Sequence, residues 1–181
     1  CTGLTSVSLP EGLTTINGGA FEGCTSLQSI YLPDSITTLG SDAFYGCTKL
    51  TSVNYPMNWN SVTGSDSPFE NCPKLTNITV PEGVTAIPAY AFSYASGFAT
   101  INLPSTLQSI GSYAFRNCSG LTNVVLPNAV TSMGSYAYHG CTGLTSVVIS
   151  DNMETLPSSA FSGCTGLTSV SLPEGLTTIN G

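Results

Sequence analysis

The sequence predicts a repeat solenoid made mostly of short parallel β-strands, and three observations carry that prediction. A 23-residue unit, CTGLTSVSLPEGLTTINGGAFEG at 1–23, recurs with starts at Cys1, Cys24, Cys47, Cys72, Ala95, Cys118, Cys141 and Cys164. Within each unit the apolar residues fall at fixed slots with small polar residues between them. Proline follows the first apolar group in seven of the eight units, at Pro10, Pro33, Pro56, Pro81, Pro104, Pro127 and Pro173, with Ser150 in the remaining one. A fixed period of this length means that each unit stacks on its neighbours to bury an apolar face it cannot bury alone.

The elements of one unit follow in order. Val7 and Leu9 share one face of a strand because strand side chains alternate, and Leu4 enters the core from the preceding turn. The same slots hold Leu27, Ile30 and Leu32, and later Leu121, Val124 and Leu126. Proline lacks a ladder donor and ends the strand at the same place each time. A second apolar pair (Leu13 and Ile16, Ile36 and Leu39, Val84 and Ile87, Leu107 and Ile110) predicts a short second strand. Ala-Phe follows, as in Ala20-Phe21 and Ala114-Phe115, where a single helical or 3₁₀ turn is expected, with the phenylalanines forming an aromatic spine. Gly23, Gly46, Gly140 and Gly163, with Asn71 and Asn117 in the same slot, are expected to end that turn in left-handed conformation.

Composition narrows the function. Charged residues make up 7%, the formal net charge is −7, and Lys49, Lys74 and Arg116 are the cations. A nucleic-acid partner needs a basic stripe that this chain lacks, and an anionic membrane surface is disfavoured on the same ground. No run of apolar residues is long enough to insert in a membrane as a helix. Solubility has to come from Ser, Thr, Asn and Gly, a surface chemistry common in secreted proteins. Residues 1–18 and 164–181 are identical. The expectation is a single array over 1–181, about eight repeats, cut from a longer one, with apolar terminal faces that favour end-to-end self-association.

The motifs L-x-x-V-x-L-P, V-T-x-I-G and A-F-x-G-C at this period resemble the BspA-like, or Treponema-type, class of leucine-rich repeats along the whole chain. That resemblance implies a leucine-rich-repeat right-handed superhelix. It also implies a cell-surface or secreted protein of a host-associated microbe, with adhesion to host or microbial protein or glycan as its role. The family shares no catalytic residues, so the resemblance implies neither an enzyme nor a cofactor. A structural spacer or self-associating stalk is the alternative.

Several residues invite a site. Seven cysteines recur once per repeat, which spreads their sulfurs along a line; zinc needs ligands that converge, and parallel Cβ vectors suit disulfides poorly. Ala95 in the same slot points to buried thiols filling a small space. His139 is the single histidine and falls in a slot expected to be exposed, so neither a metal site nor a Ser-His-Asp arrangement is expected. Trp59 falls in the Leu13 slot and is expected in the core, although its repeat departs from the pattern and carries two extra residues. Outward slots of the first strand read Ser29 and Tyr31, Ser52 and Asn54, Asn77 and Thr79, Thr100 and Asn102, then Asn123 and Val125. That face is either a solvated sheet surface or a binding surface. Tyr90, Tyr113 and Tyr136 share one slot in three successive repeats, where Gly19, Asp42 and Ser159 also occur. A slot accepting Gly and Asp is expected to be exposed, so these tyrosines either pack on one another or receive a glycan or protein.

Overall fold

The computed structural model describes residues 1–181. Fifteen short strands form it: β1 (Thr15–Ile16), β2 (Ser29–Ile30), β3 (Thr38–Gly40), β4 (Ser52–Val53) and β5 (Ser61–Thr63) come first. Then come β6 (Asn77–Thr79), β7 (Ala86–Ile87), β8 (Thr100–Asn102), β9 (Ser109–Ile110) and β10 (Asn123–Val125). The last are β11 (Ser132–Met133), β12 (Ser146–Val148), β13 (Thr155–Leu156), β14 (Ser169–Ser171) and β15 (Thr178–Ile179). Every pairing is parallel and joins equivalent slots, as Val124 with Val147 and Val147 with Val170. Even-numbered strands form the first series and odd-numbered strands the second, so the chain is a β-solenoid.

Each turn of the solenoid has three corners. Cys and Leu three residues apart close the first, as Leu27 N–H to the Cys24 carbonyl at 3.0 Å. The proline carbonyl accepts from the residue three further on at the second, as Ile36 N–H to Pro33 at 3.0 Å. Ser150, in place of proline, keeps the same bond, its carbonyl accepting from Met153 N–H at 3.1 Å, and its hydroxyl also accepts from Asn152 N–H at 3.2 Å and donates to the Asn128 carbonyl at 3.2 Å.

The third corner differs from the expected helical turn. Its i→i+3 bonds form but never run consecutively. Ala20, Glu22 and Cys24 N–H bond within the corner, to Asn17, Gly19 and Phe21. Gly19, Phe21 and Gly23 N–H instead bond forward to Ser41, Ala43 and Tyr45 of the next repeat, at 3.2, 2.7 and 2.8 Å. Two left-handed residues per corner cause this alternation, except in the third repeat, where Ser67 is not left-handed. One is the expected slot, with φ of 64° at Gly23, 55° at Asn71 and 56° at Asn117. The other, four residues earlier, holds Gly19, Asp42, Tyr90, Tyr113, Tyr136 and Ser159 at φ between 54° and 68°. Reversing the backbone sign twice forbids a helix and turns alternate N–H groups toward the neighbour, which adds a third ladder between repeats.

Inside the stack runs the aromatic spine. Phe21, Phe44 and Phe69 stack at 5.3 Å between centroids, Phe92 and Phe115 at 5.5 Å, and Phe115 and Tyr138 at 4.9 Å. One contiguous core of 45 buried residues surrounds it. Six cysteines belong to that core, and all seven are free thiols. Their slot has a polar reason as well as a steric one. Each buried thiol after Cys24 lies beside the carbonyl of the spine residue one repeat back, as Cys118 Sγ to Phe92 O and Cys141 Sγ to Phe115 O at 3.1 Å. Where Ala95 removes that thiol, Phe98 replaces the usual leucine and packs edge-on against Phe92 at 5.3 Å.

Burial pushes the Cys47 thiol up to about 11 and the Cys72 thiol up to about 12, and Cys118 also moves up. Thiolates are the reactive form, so these groups are inert at neutral pH. Thiol titration of native protein should find Cys1, the exposed one, reacting fast, and all seven only after denaturation without reductant. Recovery of fewer than seven under those conditions would mean that disulfides form.

The two extra residues of the third repeat split the array. Neither β4 with β6 nor β5 with β7 pairs, and no main-chain hydrogen bond joins 47–71 to 72–94. Phe69 and Phe92 stand 6.2 Å apart, wider than the spine spacings on either side. Large aromatics fill the gap. Trp59, 2% exposed, sets its edge on Phe92 at 5.6 Å, and Tyr55 packs on Trp59 at 5.0 Å. Side chains replace the missing rungs. Ser67 Oγ accepts from Phe69 N–H at 3.1 Å and donates to the Ala91 carbonyl at 3.0 Å, so one hydroxyl bridges a gap that two main-chain groups no longer span.

Candidate functional site

Two surfaces hold the residues that the sequence singles out. The first is the outward face of the even-numbered strands. Ser29, Tyr31, Ser52, Asn77, Thr79, Thr100, Asn102 and Asn123 are all exposed there. Asn54 is half-buried and structural: its Nδ2 donates to the Leu32 carbonyl at 2.8 Å while its Oδ1 accepts from Leu32 N–H at 2.7 Å. Its side chain thus stands in for a strand rung, which shortens the β2–β4 pairing to two residues. Neighbouring polar groups on this face bond along the stack, as Asn102 Nδ2 to Thr79 Oγ1 at 3.3 Å and Ser146 Oγ to Asn123 Oδ1 at 2.6 Å. Three large apolar side chains stand out of it in one slot: Tyr31 at 59% exposure, Val125 at 65% and Val148 at 42%.

The second surface is the Ala-Phe corner. Tyr90, Tyr113 and Tyr136 stack on one another, with centroids 5.0 Å apart at both steps and planes within 6°. They are half-buried rather than fully exposed. The slot takes Gly, Asp and Ser because it is left-handed, and that, not exposure alone, explains its composition. Tyrosine has no such advantage, and a left-handed backbone costs an ordinary residue roughly 1–2 kcal/mol. Stacking offsets part of that, at about 0.5–1.5 kcal/mol per aromatic pair.

Three residues further on lies a slot that the sequence marks as exposed and the structure does not. Ser93 is 1% exposed there, and Arg116 and His139 are half-buried. Ser93 Oγ, Arg116 Nε and His139 Nδ1 are buried atoms without a hydrogen-bond partner. They fill one slot in three successive repeats, beneath the three tyrosines. The Arg116 guanidinium lies 5.1 Å from the Tyr94 ring centroid and 5.6 Å from the Tyr113 ring centroid, so two aromatic side chains flank it. His139 meets Tyr136 edge-on at 5.5 Å.

A cleft of about 420 Å³ runs along this ladder, lined by Ser65, Asp66, Tyr90, Tyr113, Arg116, Tyr136 and His139. Asp66, from the inserted segment, marks one end and His139 the other, with Arg116 on the middle rung. Acidic groups gather beyond the Asp66 end. Partial burial raises the Asp42 carboxyl, helped by Asp66 and Glu22; burial, Asp42 and Asp66 also raise Glu70, against the pull of Arg116. No group of three or more His, Cys, Asp or Glu side chains is placed to hold a metal ion. No helix is long and apolar enough to cross a membrane. Sequence reasoning found the tyrosines but missed Arg116 and Ser93; the signal available was that their slot lies three residues after the tyrosine slot, on the same corner.

The structural relatives share this architecture. A leucine-rich-repeat protein of Treponema pallidum is 30% identical, with a TM-score of 0.61 over 96% of this chain and 72% of that one. One from Bacteroides ovatus is 23% identical, with a TM-score of 0.66 over 99% of this chain and 57% of that one. The pneumococcal vaccine antigen PcpA is 23% identical, with a TM-score of 0.53 over 93% of this chain and 48% of that one. The chain therefore spans about half the length of two of these three proteins. No curated protein matches it. The model of the BspA-type leucine-rich-repeat region matches residues 1–96 and 85–181, in six copies, and with the stacked parallel corners described above it shows that this chain belongs to the BspA-type leucine-rich-repeat family.

Proposed function

We propose that the chain is a non-catalytic recognition segment of a cell-surface or secreted protein, and that it binds a host or microbial protein or glycan through the outward face of its even-numbered strands. The observation that carries this reading is the single exposed slot of Tyr31, Val125 and Val148. A solvated sheet face has no need of large apolar groups, and the adjacent pair Val125 and Val148, with Tyr31 four repeats earlier in the same slot, makes among neutral hydrogen-bonding residues a surface suited to a partner. The surrounding Asn, Ser and Thr provide donors and acceptors without charge, so recognition there depends little on salt.

Adsorption of the purified chain to epithelial-cell monolayers tests this directly. Val125→Glu with Val148→Glu adds charge to exposed positions without touching the core, so folding should be unaffected. Bound protein is expected to fall about tenfold, the loss of a desolvated apolar contact. Equal adsorption by both proteins would overturn the proposal and favour the spacer reading, which assigns this face no partner.

A further inference from the structure

We propose that the cleft along the tyrosine ladder is a binding site for an acidic oligosaccharide, a chain of sugar rings that carries a carboxylate. This site lies on the Ala-Phe corner, apart from the sheet face, so each proposal stands or falls without the other.

Three independent features converge on it. Strain is the first. Tyr90, Tyr113 and Tyr136 hold φ of 61°, 60° and 61° in a slot where Gly19 sits without penalty. Residues kept in a costly conformation gather at functional sites, and here the same costly choice is made in three successive repeats. Unmet hydrogen bonding is the second. Buried polar atoms are nearly always paired, yet Arg116 Nε and His139 Nδ1, both on side chains that line the cleft, are unpaired, as is Ser93 Oγ in the same slot one repeat earlier, outside the lining. The third is a pre-organised cation. Arg116 is one of three cations in a chain of net charge −7, and aromatic rings hold its guanidinium at the cleft.

The chemistry of the lining selects the ligand. A guanidinium offers a planar fork that matches a carboxylate. Beyond Tyr90, Asp66 offers acceptors, which suit sugar hydroxyls and repel a second carboxylate. Between them, each middle-ring face is already covered by a neighbouring tyrosine, so the ladder presents ring edges and phenolic hydroxyls instead of stacking faces. A row of hydroxyls, each both donor and acceptor, matches a row of sugar hydroxyls. Length favours a chain of rings. Two steps of 5.0 Å separate the outer tyrosines, and Asp66 extends the lining beyond Tyr90. An amino acid fills only part of that length, whereas two or three linked rings fill it. The cleft volume lies within the range of small-ligand sites.

The test is an NMR and calorimetric titration of the whole chain with galactotriose oxidised to the uronate at one terminal ring, with galactotriose as the uncharged counterpart and acetate as the carboxylate alone. The monouronate is expected to shift the ring resonances of Tyr90, Tyr113 and Tyr136 and to bind at least tenfold more tightly than either control. Arg116→Gln should weaken it about tenfold, the worth of one charge-assisted hydrogen bond. Tyr113→Gly removes the middle of the ladder at a backbone conformation that glycine accepts, so that variant should fold and still lose binding. Acetate binding as tightly as the monouronate would reduce the site to a simple anion pocket and overturn the proposal. Equal binding of galactotriose, unchanged binding by folded Tyr113→Gly, or no shift with any of the three would overturn it as well.

Discussion

Replacing Phe115 with alanine is expected to destabilise the protein by about 3–5 kcal/mol, the cost of truncating a fully buried aromatic. Phe115 has no exposed surface. It is held between Phe92 at 5.5 Å and Tyr138 at 4.9 Å, so its removal opens a void on the spine. Its carbonyl also faces the Cys141 thiol, and its N–H donates to the Ala137 carbonyl at 2.8 Å. The backbone around the void is thus tied to the next repeat and has little freedom to collapse. In a solenoid each repeat interacts with its neighbours alone, so the damage should be local. Hydrogen exchange should show lost protection across the repeats that start at Cys72, Ala95 and Cys118, with the repeat from Cys24 nearly unaffected. Unchanged protection in the middle repeats would contradict this account of the spine.

The slots that carry the fold are legible because each is tested seven or eight times over. Leu27, Leu50 and Leu121 recur where the core requires an apolar residue, and proline recurs where a strand must stop. Averaging over repeats removes the ambiguity that one short apolar run would leave. The third corner was harder to read for a specific reason. Its Ala-Phe spacing suits a helical turn, but the residue before the alanine is left-handed, and hydrogen bonds to the next repeat replace the helical ones. Gly19, Asp42 and Ser159 together carry that signal, since all three tolerate φ above zero, but the same three residues equally suggest plain exposure.

Sites were less legible, because a site breaks the regularity that makes the fold readable. The tyrosine column was visible as a run of identical residues. Its partners were not, since Ser93, Arg116 and His139 share no chemistry that a sequence pattern would join. Asn54 shows the opposite difficulty. It occupies an outward slot like Thr79 and Asn102, yet both its amide atoms serve Leu32. Slot position decides which way a side chain sets out, and local spacing decides what it reaches.

Trp59→Ala should be about as costly as the loss of Phe115, about 3–5 kcal/mol, but with a different signature. Trp59 packs against Tyr55, Phe69 and Phe92, and its Nε1 donates to the Ser61 carbonyl at 2.9 Å. It lies at the junction where neither strand series pairs and where the side-chain bonds of Ser67 and Tyr55 stand in for the main-chain rungs. At every other junction at least one of the two strand series still pairs, although β8 with β10 and β11 with β13 do not, so a lost core side chain there leaves main-chain rungs in place. Here the aromatic cluster is most of what couples the first three repeats to the rest. Its truncation should therefore divide one cooperative urea transition into two, with residues 1–71 losing protection before residues 95–163. Leu107→Ala, in a repeat joined to the one before it by both β6–β8 and β7–β9, should lower the midpoint and keep a single transition. The insertion and the aromatics also depend on each other. Removing Ser65 and Asp66 alone should crowd Trp59, and Tyr55→Leu with Trp59→Leu alone should leave a void. The combination restores the spacing of the other repeats, so its cost should fall well below the sum of the two changes. A single transition in Trp59→Ala, or simple additivity in that cycle, would show that the seam is held by something other than its aromatic filling.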